Sequence, residues 1–382
     1  GGGRGARLAE RHRLPLGLAV MLGRAWGFVK RHKKKAIAGT ILAGGAYGLY
    51  RYVYPMVKQF RELQAALESL EAAASGAGQE DKEADEERRR ARFRHNQGVY
   101  DKYACRGLGQ FREKHDACFE IQERMAQVRE AQDAEAKRAR LEEYVTECLA
   151  YCISALYALH ALLLLQRMMF NIAGREMDLL AASEPEADAP AYEAFLESTS
   201  YFKEGGARRV AESARRAARA CSAKADLGPA TAVTAERLHE LVQDAFREVD
   251  TEILASPYAA SSMLPETIDS ALAPAHCVKA KRLLDEARDY LESPQFLEVF
   301  RATSAAAAGR LAELLGDGAP DPSSAPLAGG HPKPLARLLG DMISASRAAL
   351  AEESAGGFVE QFAAQPLVGG LCERVYFQTA AA

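Results

Sequence analysis

CLAYCISALYALHALLLL, residues 148–165, runs for eighteen positions without Asp, Glu, Lys or Arg. Its Ala and Leu content, with few β-branched residues and no period-two alternation, reads as helix rather than strand. The stretch is apolar almost all round. Such a helix is either a membrane span, for which eighteen residues just meets the length rule, or the centre of a large helical bundle. Tyr151, Ser154, Tyr157 and His160 recur on roughly one side, and Glu142, Glu143 and Arg167 flank the stretch closely. Those features favour the buried central helix. The helical pattern extends over residues 137–173 and sets the fold class as all-α.

Outward from it the chain reads as successive helices. Residues 97–135 are amphipathic and charge-laced, and shorter helical patterns follow near 189–224, 230–254, 278–292, 295–316, 333–353 and 356–376. Pro-rich breaks fall at 184–190 and 319–334, the second (APDPSSAPLAGGHPKP) a loop. No internal repeat is present. With 382 residues and 48% hydrophobic content, the chain is long enough to bury a sizeable core. Residues 93–376 are expected to form one helical bundle, followed by a tail at 377–382. Ahead of the bundle, residues 58–74 place Phe60, Leu63, Leu67 and Leu70 on one helical stripe. Ser75–Arg92 (SGAGQEDKEADEERRRAR) is dense in charge and reads as a flexible or solvated linker.

The amino-terminal region has a different character. Residues 1–61 carry thirteen Lys or Arg against one acid, Glu10, so a head of +12 precedes a body of −15, making up the net −3. Residues 1–20, Gly- and Arg-rich without an apolar period, read as a disordered or artefactual extension. From Met21 the sequence runs MLGRAWGFVKRHKKK, AIAGTILAGGAYGLY, RYVYPMVKQF. The uncharged Ala36–Tyr50 covers only about 22 Å as a helix, but extension to Val57 gives about 33 Å, enough to cross a hydrocarbon core ~30 Å thick. That extension includes Arg51, near enough to the end to snorkel. Tyr47, Tyr50, Tyr52 and Tyr54 gather at the same boundary, where amphipathic rings prefer to lie. Three readings remain open on the residues alone: a membrane anchor over 21–57, a secretory signal peptide, or a buried helix.

Little in the chain points to chemistry. The seven cysteines (105, 118, 148, 152, 221, 277 and 372) are odd in number, scattered, and include no C-x-x-C pair, as expected of reduced thiols. Cys148 and Cys152 lie four apart with His160 two turns on, but a metal site would need a further ligand that the sequence does not supply. No G-x-S-x-G, P-loop, dinucleotide fingerprint or H-E-x-x-H occurs. His95, His115, His239 and His276 have no evident Ser or Cys partner, and the pairs Glu142–Glu143 and Asp285–Glu286 suit solvated helix faces. The Arg run before residue 92 also reads as a solvated face, so no nucleic-acid partner is expected. The plan that remains is a basic foot, a spanning helix, a tether and a helical body, with no catalytic residues, metal or cofactor. A docking receptor, a membrane tether or adaptor, and a membrane-bound helical enzyme are the function classes this plan admits, the last with least support.

Several stretches, in order, resemble the peroxin-3 family. MLGRAWGFVKRHKKKAIAGTILAGGAYGLY is similar to that family's amino-terminal anchor, with an R-H-K-K-K cluster before a Gly-rich apolar helix. Phe93–Gln97 (FRHNQ) resembles its F-x-x-N-Q. Arg167 with Asn171-Ile172-Ala173-Gly174 resembles its R-x-x-x-N-I-x-G. Leu283–Phe296 (LLDEARDYLESPQF) resembles its L-L-N-E-T-R-D-x-L-E-S-P-x-F, the most specific match, and Pro334-Leu335-Ala336 resembles a P-L-A opening a late helix. The resemblance covers about residues 21–376.

What the resemblance implies is a single elongated helical bundle on the cytosolic side of the peroxisomal membrane, single-pass, with its amino terminus towards the matrix. Its expected partner is peroxin-19, a soluble carrier of newly made membrane proteins, whose amphipathic helix lies in a groove at the membrane-distal end of the bundle. Cargo membrane proteins are then partners only indirectly. Carried over residue by residue, the groove falls on Lys137, Leu141 and Tyr144, spaced four and three apart and so on one helix face, with Val128 as a further apolar contact from the preceding helix. Leu141 stands where animal members carry Trp, and Tyr144 where they carry Leu. The resemblance also implies that Arg31, Lys33, Lys34 and Lys35 contribute to targeting through peroxisomal membrane lipids. The positive-inside tendency would instead hold this cluster in the cytosol; the matrix-facing amino terminus is an implication of the resemblance alone.

Overall fold

The computed structural model describes residues 80–179, 188–255, 258–268, 272–316, 333–351 and 356–378, all within one compact unit, Met56–Ala382. The anchor over 21–57, the basic cluster Arg31, Lys33, Lys34 and Lys35, the stripe at 58–74 and the Pro-rich stretch 319–332 lie outside the described residues. The described residues are almost entirely helical, and their organising element is the apolar helix. Helix α4 runs from Ala134 to Leu179. Its 46 residues make it about 69 Å long. Every residue from Glu147 to Met177 is buried, so the whole apolar window lies inside the protein although its length and composition would suit a membrane.

Three helices precede α4: α1 (Glu80–Tyr103), α2 (Leu108–Asp116) and α3 (Ile121–Glu130). After it come α5 (Ala189–Glu197), α6 (Ala207–Lys224), α7 (Ala235–Ile253), α8 (Tyr258–Met263), α9 (Pro274–Glu292), α10 (Pro294–Gly316), α11 (Leu335–Ala349), α12 (Gly356–Ala363) and α13 (Pro366–Phe377). Helices α1, α3, α5, α6, α7, α9, α10, α11 and α13 all pack against α4, while α7 closes a second layer over α6 and α10. One short antiparallel pair, Ala232–Val233 (β1) with Lys333–Pro334 (β2), pins the start of α11. There the Leu335 and Ala336 amides donate to the carbonyls of Thr231 and Pro229, at 2.9 and 3.1 Å.

Four expectations are corrected. The charged segment read as a flexible or solvated linker is helical from Glu80 onward; much of it is exposed, but one face docks. Phe93 packs against Tyr376 and Phe377 at 5.1 and 5.4 Å, Arg92 pairs with Asp178 at 3.0 Å, and Arg89 donates to the Tyr376 carbonyl at 3.1 Å. Phe377 therefore belongs to the packed body, not to a tail. The single helix read over 97–135 is instead the end of α1, all of α2 and all of α3. Gly107, with φ +82°, occupies the left-handed region at the start of α2, which ends the helical run in a way few residues other than glycine allow. The 189–224 pattern is likewise interrupted by a π-helical turn, Phe202–Gly206. A Cβ on Gly206 would sit 2.7 Å from the Ser262 carbonyl oxygen, so glycine permits the close approach of α8.

Two of the stretches that carry the resemblance, 93–97 and 167–174, meet in space. On α1, Gln97 donates to Asn171 Oδ1 at 2.6 Å and accepts from Arg167 Nε at 3.1 Å; Asp101 pairs with the same guanidinium at 2.7 Å. Further along α4, Arg175 pairs with Glu286 of α9 at 2.7 Å. These polar groups form two clusters along α4, a seam facing α1 at Arg167 and Asn171 and a pair facing α9 at Arg175.

Candidate docking face

Helix α3 folds back along the start of α4. Arg140 donates to Gln127 Oε1 at 3.0 Å, Arg124 to Glu143 at 3.0 Å, and the Glu120 amide to Glu147 at 3.4 Å. The partners step in opposite directions along the two helices, so α3 and α4 form an antiparallel hairpin. Ile121, Met125 and Val128 recur at the spacing of one helix face; Ile121 and Val128 are buried and Met125 is half-buried.

The four residues expected in the groove sit on this hairpin at different depths. Lys137 is exposed and Leu141 half-buried, whereas Tyr144 (9% exposed) and Val128 (7%) are buried. Of the four, Leu141 alone offers partly exposed apolar surface; Met125 of α3 is likewise half-buried, and Val128 and Tyr144 are buried. Sequence reasoning missed Met125, although the Ile121–Met125–Val128 period carried the signal. Burial, with Cys148 one turn away and hydrogen-bonded to it, pushes the Tyr144 phenol above its ordinary range, so it acts here as an uncharged ring. The rim is polar: Arg124–Glu143 and Arg140–Gln127 bridge the hairpin beside Leu141. The Arg124–Glu143 pair is solvent-exposed, worth at most about 1 kcal/mol, so a visiting helix could rearrange it cheaply.

The hairpin is clamped at one end by α6. Arg215 donates from Nε and Nη2 to Glu147 at 3.0 and 2.8 Å, and from Nη2 to the Cys118 carbonyl in the α2–α3 turn. Its guanidinium also lies over the Phe119 ring at 4.6 Å. Burial of Glu147 opposes its ionisation, but the hydrogen bonds and charge of Arg215 outweigh that and hold the carboxyl below its usual range.

Position along α4 matters as well. Asp178, which receives Arg92 of α1, and Leu141 are separated by a span of α4 about 55 Å long at 1.5 Å per residue. The hairpin therefore lies at the far end of α4 from the point where α1 docks.

The reactive side chains of α4, and His115 beside it, are core residues. Burial pushes the thiols of Cys148 and Cys152 up to about 12, and burial lowers His160 to about 3, so at neutral pH none of the three carries charge. His160 is within 3.2 Å of Thr303 Oγ1 and is packed edge-on by Phe300 and Phe362. His115, also brought down to about 3 by burial and then by Arg215, is 3.0 Å from Ser154 Oγ. Among the described residues no group of three or more His, Cys, Asp or Glu is placed to hold a metal ion. A separate apolar cleft of about 230 Å³ opens between α10 and α12–α13, lined by Ala306, Ala307, Phe358, Phe362, Pro366 and Leu367.

No protein-family model matches the sequence, and a search of curated proteins also finds no match.

Proposed function

We propose that this chain is a docking receptor: a helical body, held to a membrane by residues 21–57, that offers the α3–α4 hairpin to an amphipathic helix of a soluble partner. The observation that carries this reading is the hairpin itself. Leu141 is half-buried on the hairpin that also holds the buried Val128 and Tyr144, which in this reading form the apolar floor, and the hairpin lies at the far end of α4 from α1. Helix-in-groove recognition uses this kind of surface, a few apolar anchors inside a polar rim.

More particularly, the receptor is of the peroxin-3 type, with the amino-terminal helix of peroxin-19 as the visitor and insertion of peroxisomal membrane proteins as the outcome. What supports this is that Gln97, Arg167 and Asn171, from two of the matching stretches, hydrogen-bond one another, and that Glu286 of a third pairs with Arg175 beside the second. In this reading Arg31, Lys33, Lys34 and Lys35 meet peroxisomal lipids, and the body faces the cytosol. The protein works by binding, without a catalytic step, cofactor or nucleic-acid partner.

The test is a fluorescent peptide carrying the amino-terminal amphipathic helix of peroxin-19, titrated with the purified full chain. Leu141→Asp places a charge against the apolar floor and is expected to weaken binding by more than about 1 kcal/mol, fivefold or greater, with the far-UV circular dichroism unchanged. Unaltered affinity removes Leu141 from the face. Absence of wild-type binding up to about millimolar, roughly 4 kcal/mol, removes the receptor reading itself. Localisation of the tagged chain with and without residues 21–57 tests the anchor separately.

A further inference from the structure

Helix α3 is a weakly held element. It is ten residues long, and only Ile121 and Val128 of it are buried apolar side chains. Its exposed pair with Glu143 adds little. Elements with few buried contacts open locally at a fraction of the global unfolding free energy. Against that background the junction at its amino-terminal end stands out. One guanidinium, on α6, engages the Glu147 carboxylate through two nitrogens, accepts Phe119 under its plane, and donates to the Cys118 carbonyl. Glu147 in turn receives the Glu120 amide at the α2–α3 turn, at 3.4 Å. Glu147 is 6% exposed, so its charge has almost no water to fall back on. A bidentate Arg–carboxylate pair fixes direction as well as distance, and a lysine cannot reproduce it.

We propose that the Arg215–Glu147 bridge is the positioning device for the docking face, holding the α2–α3 turn so that α3 presents Met125 and Val128 beside Leu141. Neither residue belongs to the docking face; Arg215 lies on a different helix and Glu147 sits buried below the hairpin. They act through α3. When the bridge is broken, α3 loses its registration on α4, and the apolar floor is no longer shared between two helices. This inference rests on the docking reading for its effect on affinity, but the effect on α3 stands independently of any partner.

The experiment has two arms, on the purified full chain carrying Glu147→Gln or Arg215→Lys. Hydrogen exchange followed by mass spectrometry is expected to show amides of residues 121–130 exchanging at least tenfold faster in Glu147→Gln, with α7 and α9 unchanged. Arg215→Lys should give an intermediate acceleration, since it keeps the charge but not the fork. Exchange that is unchanged in α3, or accelerated equally everywhere, overturns the proposal. In the second arm the same fluorescent peptide should bind about tenfold more weakly to Glu147→Gln than to the wild type, with Arg215→Lys intermediate; wild-type affinity in Glu147→Gln with a loosened α3 overturns the link to docking. A wild-type chain that does not bind the peptide sinks the docking reading, and the exchange arm still decides whether the bridge positions α3.

Discussion

Asp250 provides a sharp test of how the interior of this bundle handles charge. It sits on α7, 8% exposed, and its Oδ1 accepts a hydrogen bond from the Tyr157 hydroxyl of α4 at 2.7 Å. Tyr157 is fully enclosed, with Phe246 and Phe300 rings 5.4 and 5.5 Å away. Burial raises the Asp250 carboxyl to about 6, against the smaller opposing effects of the Tyr157 hydrogen bond and the Arg301 charge. An unfolded aspartate titrates near 3.9. Between these values the folded state binds the proton more tightly than the unfolded one, so its contribution to stability falls as pH rises from about 4 through 6. Above pH 7 the ionised carboxylate carries the full penalty. Two pKa units at 1.36 kcal/mol each make that about 3 kcal/mol.

Asp250→Asn removes the charge while leaving an amide oxygen to accept from Tyr157. At pH 7.5 the variant should be more stable than the wild type by about 1–3 kcal/mol, the lower figure allowing for imperfect amide geometry. At pH 4.5 the folded wild-type carboxyl is protonated and the difference should shrink by about 2 kcal/mol, to about 1 kcal/mol or less. Urea unfolding followed by circular dichroism at both pH values measures it, and subtracting variant from wild type cancels the titration of every other carboxylate. A variant that is less stable at pH 7.5, or a difference that does not change with pH, refutes the assignment of a raised carboxyl to Asp250.

Arg167→Met should destabilise by about 1–3 kcal/mol, because Gln97 and the partly exposed Asp101 lose the cation they face; urea titration measures it, and a cost below about 0.5 kcal/mol would refute a structural role for the pair. Gly206→Ala forces a methyl onto the Ser262 carbonyl and the Phe202 ring, so a loss of about 1–3 kcal/mol or more is expected, read as a lowered melting temperature. Thiol labelling of the native protein followed by mass spectrometry should modify the half-buried Cys105, Cys118 and Cys277 first, with Cys148 and Cys152 protected until denaturant is added. Early labelling of Cys152 would contradict its enclosure.

What the sequence reveals and what it hides follow from where the information lies. Eighteen uncharged residues at 148–165 are a local signal, and a helix apolar on every side has to be enclosed, so α4 was legible as the centre. The charge-dense run before residue 92 misled for the opposite reason. Arg stems cover apolar surface while their heads find distant partners, and nothing near Arg89 or Arg92 in sequence names Tyr376 or Asp178. The division of 97–135 turned on Gly107, one of several glycines there, whose positive φ no local pattern distinguishes. At the hairpin, the spacing of Lys137, Leu141 and Tyr144 was readable as a shared face, but their unequal depth was set by α3 folding back. The Arg215–Glu147 bridge joins residues 68 apart and leaves no trace in either neighbourhood.

The polar seam bears on why these particular residues carry the resemblance. Buried ion pairs are poor evidence of stability, since desolvation offsets much of their attraction. Their stronger effect is on register. A bundle built largely of Ala and Leu can slide one helix along another by a turn at small cost to apolar burial. Gln97 and Asp101 on α1 meet Asn171 and Arg167 on α4 in antiparallel order, and a slip of one turn would strand the Arg167 charge, 4% exposed, away from its carboxylate. That loss, several kcal/mol, is large against a total stability of about 5–15 kcal/mol. The same argument applies where Arg175 ties α9 to α4 through Glu286. These side chains specify how the bundle is assembled, whereas Leu141 and Met125 lie outside the seam on the hairpin about 55 Å along α4 from Asp178. On the docking reading proposed above, the residues that set register and those offered to a partner are separate along α4, so a substitution at the half-buried Leu141 is expected to change binding without disturbing the assembly.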